Sequence, residues 1–188
     1  MNTVISFEQL VQDFDGLFRH RVFRLETLDW YDAPNEREPY RRFLAGEPVD
    51  PAWREPWKRL VRDVRASGRT MERVHIVSEP VSDYIRFELL HGYPANVDAG
   101  EDVRILGWDK AYALGVNVRN WDYWLFDDDR AAALDYGDDG SVVRVEMIDR
   151  RRLIQSYCTL RDVALKGATP LAKYVAEHNI TEGRTQAA

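Results

Sequence analysis

An α/β fold with a mixed β-sheet flanked by helices is what this sequence predicts, and three observations carry the prediction. Residues 73–77 read as a strand, with Val74 and Ile76 on one face. They feed a helix in which Tyr84, Phe87, Leu90 and His91 recur at helical spacing. Residues 131–136 and 141–148 flank Gly137-Asp138-Asp139-Gly140, a hairpin turn, because glycine takes positive φ at no steric cost. Helices fall between the early strands, and strands cluster late. A parallel pair near Arg21 and Arg73, followed by a C-terminal antiparallel meander, satisfies the rules for strand connections.

From the N-terminus, Ser6 with Gln9 three residues on forms a capping box for a helix over 7–14. Residues 21–28 alternate as a strand, Phe23 and Leu25 to one side and Arg24 and Glu26 to the other. Asn35 starts a polar helix closed by Gly46 and Pro48. Asp50-Pro51 opens another, a capping carboxylate followed by proline at the first helical position. Trp53, Trp57, Leu60, Val61 and Val64 give that helix one apolar face, predicted to be core, and Gly68 ends it. Gly92-Tyr93-Pro94 should break the helix that begins near Tyr84. Residues 102–106 form a third strand, and a loop with Gly107 and Gly115 follows. Residues 122–126 then lead into the acidic turn Asp127-Asp128-Asp129. A final helix over 149–166 turns Leu153, Ile154, Tyr157, Leu160 and Ala164 inward, and Thr169-Pro170 restarts a short terminal helix. Residues 1–180 make a single α/β domain in this reading, and 181–188 a flexible C-terminal tail.

At 188 residues, with 45% hydrophobic and 31% charged content, the chain has the size and composition of one ordinary globular domain. A domain this large buries roughly 70% of its unfolded surface, so it needs no metal or disulfide staple. The single Cys158 cannot form an internal disulfide, and no apolar run nears the ~20 residues of a membrane span. The N-terminal stretch also lacks the basic and apolar regions of a secretion signal. A cytoplasmic location is therefore expected. The net charge of −6 argues against a broad electrostatic grip on nucleic acid.

Where a strand of an open α/β sheet feeds a helix, the crevice beyond its carboxyl end is the usual ligand position. Here that junction carries Ser78, Glu79, Ser82, Asp83 and Tyr84. Backbone N–H groups at a helix start favour anions, yet Glu79 and Asp83 would repel a phosphate, so a cationic or hydroxyl-bearing ligand fits better. Plain capping, with Ser78 or Ser82 bonding the first turn, explains the same residue types. A partly buried Glu79 must pair with a cation, and Arg24 and Arg86 are available. The strand ends at Leu28 and Phe126 should share the crevice. The expected ligand-binding set is thus Arg24, Glu79, Ser82, Asp83, Tyr84 and Arg86.

Other constellations count for less. No histidine spacing or cysteine pair supports zinc, and three consecutive aspartates lack the alternating ligands of a calcium loop, so neither a metal nor a cofactor is expected. The GxGxxG, Walker, GxSxG and CxxC patterns are absent from the sequence. His75 belongs to its strand's second face and His91 to a helix C-terminus. Arg54, Lys58, Arg62 and Arg65 form a basic stripe opposite Trp53 and Trp57, read as a solvated face.

Several segments carry a resemblance: Phe23-Arg24-Leu25-Glu26-Thr27, Glu38-Pro39-Tyr40-Arg41-Arg42-Phe43-Leu44-Ala45-Gly46, Val77-Ser78-Glu79-Pro80-Val81-Ser82-Asp83-Tyr84 with Arg86-Phe87-Glu88, Gly100-Glu101-Asp102-Val103-Arg104, and Asp122-Tyr123-Trp124-Leu125-Phe126-Asp127-Asp128. On these the chain resembles an uncharacterised actinobacterial family, over about residues 14–175. The resemblance implies no activity. It implies genes beside helix-turn-helix regulators, hence a regulatory partner. More weakly, the late strand, acidic turn, hairpin and helix resemble half of a phospholipase-D-like domain. That superfamily spaces histidine, lysine and aspartate two and five residues apart. With Asp128 as the aspartate, Trp121 and Tyr123 stand where histidine and lysine belong, so phosphodiester hydrolysis is not implied.

The functional expectation is a non-catalytic regulatory or effector-binding protein acting with a protein partner or a small-molecule effector, self-association into a homodimer being left open. The alternative is a small-molecule enzyme of specialised metabolism with a polar pocket at 78–84, where Glu79 or Asp83 meets Arg24, His75 or Tyr123.

Overall fold

The computed structural model describes residues 3–182, so from 183 onward the expected tail lies outside the described residues. One mixed sheet holds eight strands in the order β1-β7-β6-β5-β2-β3-β4-β8. They are β1 (Thr3–Ile5), β2 (Arg21–Glu26), β3 (Thr70–Val77), β4 (Asp102–Gly107), β5 (Asp122–Phe126), β6 (Arg130–Tyr136), β7 (Val142–Ile148) and β8 (Thr169–Pro170). Parallel pairing joins β2, β3 and β4, and β5, β6 and β7 form the antiparallel meander. Both features follow the sequence prediction. The edge strands β1 and β8 do not, because three and two residues are too short to show a period.

The helices are α1 (Phe7–Asp13), α2 (Arg37–Leu44), α3 (Glu55–Ala66), α4 (Asp83–Phe87), α5 (Tyr93–Ala99), α6 (Trp108–Ala113), α7 (Arg151–Gly167) and α8 (Leu171–Glu177). Strand side chains alternate between two helical layers. Phe23, Leu25, Val74, Ile76, Tyr123 and Leu125 face α6 and α7. Val22, Met71, Trp124 and Phe126 face α1 and α3, while Val77, Val103 and Ile105 meet α4, α5 and α8. Between these last two clusters the same face carries Arg24, Glu26, Arg73 and His75. The alternation of Arg24 and Glu26 with Phe23 and Leu25 suggests a wet face, but the helical layer covers it.

Capping chemistry sets the helix starts. Ser6 Oγ accepts from Gln9 N, Asp50 from Ala52 N, and Ser82 Oγ from Ile85 N, at 3.0, 2.9 and 3.1 Å. The reciprocal half of the first capping box is replaced, since Gln9 reaches forward to Asp13 instead. Three expectations need correction. Gly92-Tyr93-Pro94 does not break the helix: residues 88–92 form a π turn in which Tyr93 N bonds to Glu88 O, and α5 continues from it. A proline clashes with the carbonyl four residues back, and the wider π turn removes that carbonyl from its path. The expected loop after Gly107 contains α6, a short helix whose Trp108 and Ala111 point inward. On α7, Leu153 is 40% exposed while Arg161 is buried.

The register of β5 also corrects the expected crevice. Val22 pairs with Phe126 and Leu25 with Tyr123, so β5 runs against β2. Phe126 therefore lies at the amino end of β2, and Asp122 stands at its carboxyl end.

Candidate functional site

A layer of buried charge lies across β2 and β3. Glu26 Oε1 is 2.9 Å from Arg24 Nη2, and its Oε2 lies 2.7 Å from Arg73 Nη1 and accepts from Tyr93 Oη at 3.1 Å. Arg73 Nε donates to Glu101 at 2.7 Å, and Trp57 Nε1 donates to that carboxylate's other oxygen at 2.9 Å. Burial alone would push the Glu26 carboxyl up, but Arg24 and Arg73 outweigh it and hold the group well below the usual carboxylate range. His75 sits between Tyr93 Oη, at 2.6 Å from Nδ1, and the Leu28 carbonyl, at 2.8 Å from Nε2.

The layer continues outward through Arg54. Its Nε donates to Asn96 Oδ1 at 2.9 Å, its Nη1 to Glu36 at 3.0 Å, and its Nη2 lies 3.6 Å from Glu88. Arg54 is therefore buried and leaves the basic stripe read from the sequence as solvated; Lys58 and Arg62 of that stripe pair with Glu55. Burial, with Glu36 close by, pushes the Glu88 carboxyl up to about 8 against the opposing pull of Arg54. At the far end, Asp122 accepts from Tyr31 Oη at 2.5 Å and from Thr27 N and Oγ1 at 2.8 and 2.7 Å. Burial raises its pKa despite these bonds.

Above this layer, the loop 28–36 and the 78–84 junction close the carboxyl ends of β2, β3 and β4. Asp29 fills the expected pocket. Its carboxylate accepts from Ser78 N at 2.9 Å and from Ser78 Oγ, and its carbonyl accepts from Ser82 Oγ at 2.9 Å. Glu79 reaches neither Arg24 nor Arg86. It lies over Gly107 on the side of α8, where Tyr174 Oη donates to it at 2.8 Å and His178 Nε2 stands at 3.1 Å. Its side chain stays 38% exposed.

Of the predicted set, Ser82 caps α4, and Asp83 is half exposed and pairs with Arg86 at 3.0 Å. Arg86 is buried with its guanidinium 5.2 Å from the Phe43 ring centroid. Tyr84 is buried and donates to Glu36 at 2.6 Å. Arg24 belongs to the interior layer, its guanidinium 4.9 Å from the Trp124 ring centroid. The structure thus brings Ser82, Asp83, Tyr84 and Arg86 to one rim and separates Arg24 and Glu79 from it. His91, expected at a helix C-terminus, sits instead in the π turn against the Phe43 and Phe87 rings.

Sequence reasoning missed the loop 28–36, although Asp29-Trp30-Tyr31-Asp32 follows directly on a strand's carboxyl end and that position was itself a signal. It also missed Glu36 and Glu101 and the pairing of Glu88 with Arg54, contacts between residues 18 to 48 positions apart in sequence. The acidic turn is structural. Asp127 and Asp128 both have positive φ, and Asp127 accepts from the backbone N–H groups of Arg19, His20 and Arg21. Burial opposes those bonds, yet they hold the Asp127 carboxyl below its ordinary value. Asp128 is bound by Arg161. Among the described residues, no His, Cys, Asp and Glu group could hold a metal ion, and no helix is long and apolar enough to cross a membrane.

A family described as a domain of unknown function, DUF6879, matches residues 7–176. No curated protein matches the chain.

Proposed function

The chain belongs to the DUF6879 family, and on that premise we propose a non-catalytic binding protein that meets a protein partner or small effector at the carboxyl-end surface of β2, β3 and β4. One observation carries the reading. The polar groups beneath that surface are committed to one another through Glu26, Arg73, Glu36 and Arg54, while Trp30, Asp83 and Glu79 stay accessible above them. A braced interior under exposed aromatic and acidic groups, Trp30 and Asp83 on one side and Glu79 apart from them beside α8, suits recognition, because the presenting groups are held in place before a partner arrives. The residues an enzyme would recruit point elsewhere: Arg24 to Glu26, His75 to Tyr93 and Leu28, and Tyr123 to the Tyr157 carbonyl. Phosphodiester chemistry is no part of the proposal, since Tyr123 is buried and Asp128 is taken by Arg161.

The first candidate partner is the helix-turn-helix regulator implied by the actinobacterial resemblance, met in the cytoplasm. A DNA-binding partner needs basic surface, which a chain of net charge −6 complements. Native mass spectrometry of the chain purified from its own host should find a stoichiometric complex. Glu79→Gln combined with Asp83→Asn should abolish that complex and leave the melting temperature in place. Retention of the complex by the double variant would remove this surface from the reading.

A second reading, an enzyme acting on a small molecule, is favoured only by the Glu79, Tyr174 and His178 contact. It places a carboxylate against an imidazole at the strand ends where α/β ligands bind.

A further inference from the structure

The last helix, α8, is tied to the rest of the fold at its C-terminal end by one polar contact. Its buried side chains, Leu171 and Tyr174, pack in the cluster with Val77, Val103 and Ile105. Past Glu177 the chain closes back on itself. The amides of His178, Asn179 and Ile180 donate to the carbonyls of Tyr174, Ala176 and Val175 at 3.0, 3.3 and 3.0 Å. The His178 ring stacks on the Tyr174 ring, with centroids 4.0 Å apart. Its Nδ1 lies 2.9 Å from the Tyr174 carbonyl and its Nε2 lies 3.1 Å from Glu79 Oε1. Tyr174 Oη donates to that same carboxylate oxygen at 2.8 Å. The second oxygen, Oε2, rests against Gly107, where a Cβ would collide with it. Glu79 therefore reaches from the β3–α4 junction to α8 in a fixed position, with Gly107 on one side and Tyr174 on the other.

The contact demands a proton. A neutral imidazole has one N–H and one bare nitrogen, whereas a carbonyl and an ionised carboxylate can only accept. His178 presents each ring nitrogen to an acceptor. Both nitrogens must then donate, or Glu79 must itself carry the hydrogen that points at Nε2. Either way the closed contact holds one proton more than an ionised carboxylate beside a neutral imidazole. An imidazole free in water keeps that proton only below about pH 6.5.

The charges on the surrounding elements are engaged elsewhere or exposed. Asp29 accepts from Ser78, Lys173 pairs with Glu177 at 3.6 Å, and Arg104 pairs with Asp102 at 2.8 Å. Asp98 of α5 is exposed, and β8 bears no charge. A second histidine touches the same segment, His91 Nε2 lying 3.7 Å from Glu182. Burial pushes the His91 imidazole below its ordinary value against the pull of Glu182, so this pair keeps a proton less readily.

We propose that the Glu79–His178 contact is a proton-dependent latch, which ties the end of α8 to the β3–α4 junction at acid pH and releases it as pH rises through the neutral range. The sign follows from the extra proton of the closed state. The contact contributes fully below about pH 6.5 and is lost once the closed contact gives that proton up. Packing of Leu171 and Tyr174 owes nothing to the proton, so opening is local to residues 178–182 and leaves the rest of the fold in place. The latch needs no partner and stands apart from the partner-binding reading.

Amide exchange measured by NMR in the full chain tests this, each rate being divided by that of an unstructured peptide at the same pH. Protection of the His178, Asn179 and Ile180 amides should fall about two- to fivefold between about pH 5 and 8, the range for one half-exposed ion pair. Amides of β3, which open only with the whole fold, should not follow them. His178→Gln retains a donor for Glu79 and cannot titrate, so its protection should stay level across the range. Glu79→Gln should level the profile as well, because an amide can donate to a bare nitrogen or accept from a protonated one. His91→Gln should keep the fall. The side chains of His178 and Glu79 are 39% and 38% exposed, so neither variant opens a hole in the core. A flat profile in the parent overturns the proposal, as does a fall shared equally with β3. So does a fall that survives His178→Gln or Glu79→Gln, or one that vanishes in His91→Gln, which would assign it to the Glu182 pair.

Discussion

Glu88 and Glu26 show how position within one buried layer decides what a carboxylate does. Glu26 lies between two guanidiniums and is held ionised; Glu88 is buried near Glu36, with Arg54 3.6 Å away, and is pushed up to about 8. The consequences for stability have opposite signs. Glu26 contributes stability that is present above the ordinary carboxyl value of 4.5 and is lost as pH falls below it. For Glu88 the unfolded chain releases its proton near 4.5 while the folded chain keeps it to about 8, so the unfolded state binds fewer protons across that window. Stability from this group therefore falls as pH rises from 4.5 to 8. Glu88→Gln keeps the shape and removes the titration. Denaturant midpoints should show the variant gaining on the parent by at least ~2 kcal/mol across that window, then levelling off. An offset independent of pH would mean that Glu88 is already ionised in the folded chain.

At the scale of elements, α3 docks through a face that is core only in part. Val61 and Val64 are fully buried, but Trp57 and Leu60 are half-buried, and Trp53, expected on the same helix, lies in the 3₁₀ turn 51–54 that precedes it. Trp57 works at the boundary: its ring contacts Phe14 and Trp124, and its Nε1 donates to Glu101. Trp57→Ala should cost about 3 kcal/mol, the lower end for aromatic truncation, because the ring is not wholly enclosed. Trp57→Phe keeps most of the packing and leaves a Glu101 oxygen without its donor, for about 1–2 kcal/mol. Equilibrium unfolding of both variants checks this; an alanine variant within ~0.5 kcal/mol of the parent would mean that α3 does not dock through Trp57. The apolar spacing of α3 is readable from sequence, whereas the expected start at Asp50 caps the 3₁₀ turn 51–54 and α3 itself begins at Glu55 without a side-chain cap. The depth of each residue is not, since it depends on which helix arrives opposite, here α5.

For the whole molecule, β2 and β3 serve both helical layers, and the charged layer ties α3 and α5 to the strands, through Trp57, Glu101 and Arg73 and through Tyr93 and Glu26. A fold whose layers share their central strands cannot lose one layer and keep the other. Far-ultraviolet circular dichroism and tryptophan fluorescence should therefore report one coincident unfolding transition for residues 1–180. Separate midpoints would divide the chain at the boundary between the parallel strands and the meander.

The sequence by itself determined the α/β class, the parallel strands at Arg21 and Arg73, the late meander and its glycine turn, and most helix starts. These depend on residues within a few positions of one another: alternation, caps, and glycines that must take positive φ. It also placed Ser82, Asp83, Tyr84 and Arg86 on one segment. Only the tertiary structure decided that Glu79 turns to Tyr174 and His178, that Asp29 fills the space beside Ser78, that Arg54 and Arg73 are interior, and that Arg24 is mostly covered. A charged residue in an alternating strand reads as solvent-facing unless a distant opposite charge covers it, and pairs such as Arg73 with Glu26 are set by the register of strands far apart in sequence. The direction of β5 has the same origin. Local spacing gives the strand, but its neighbour fixes which end of it, Asp122 or Phe126, reaches the site.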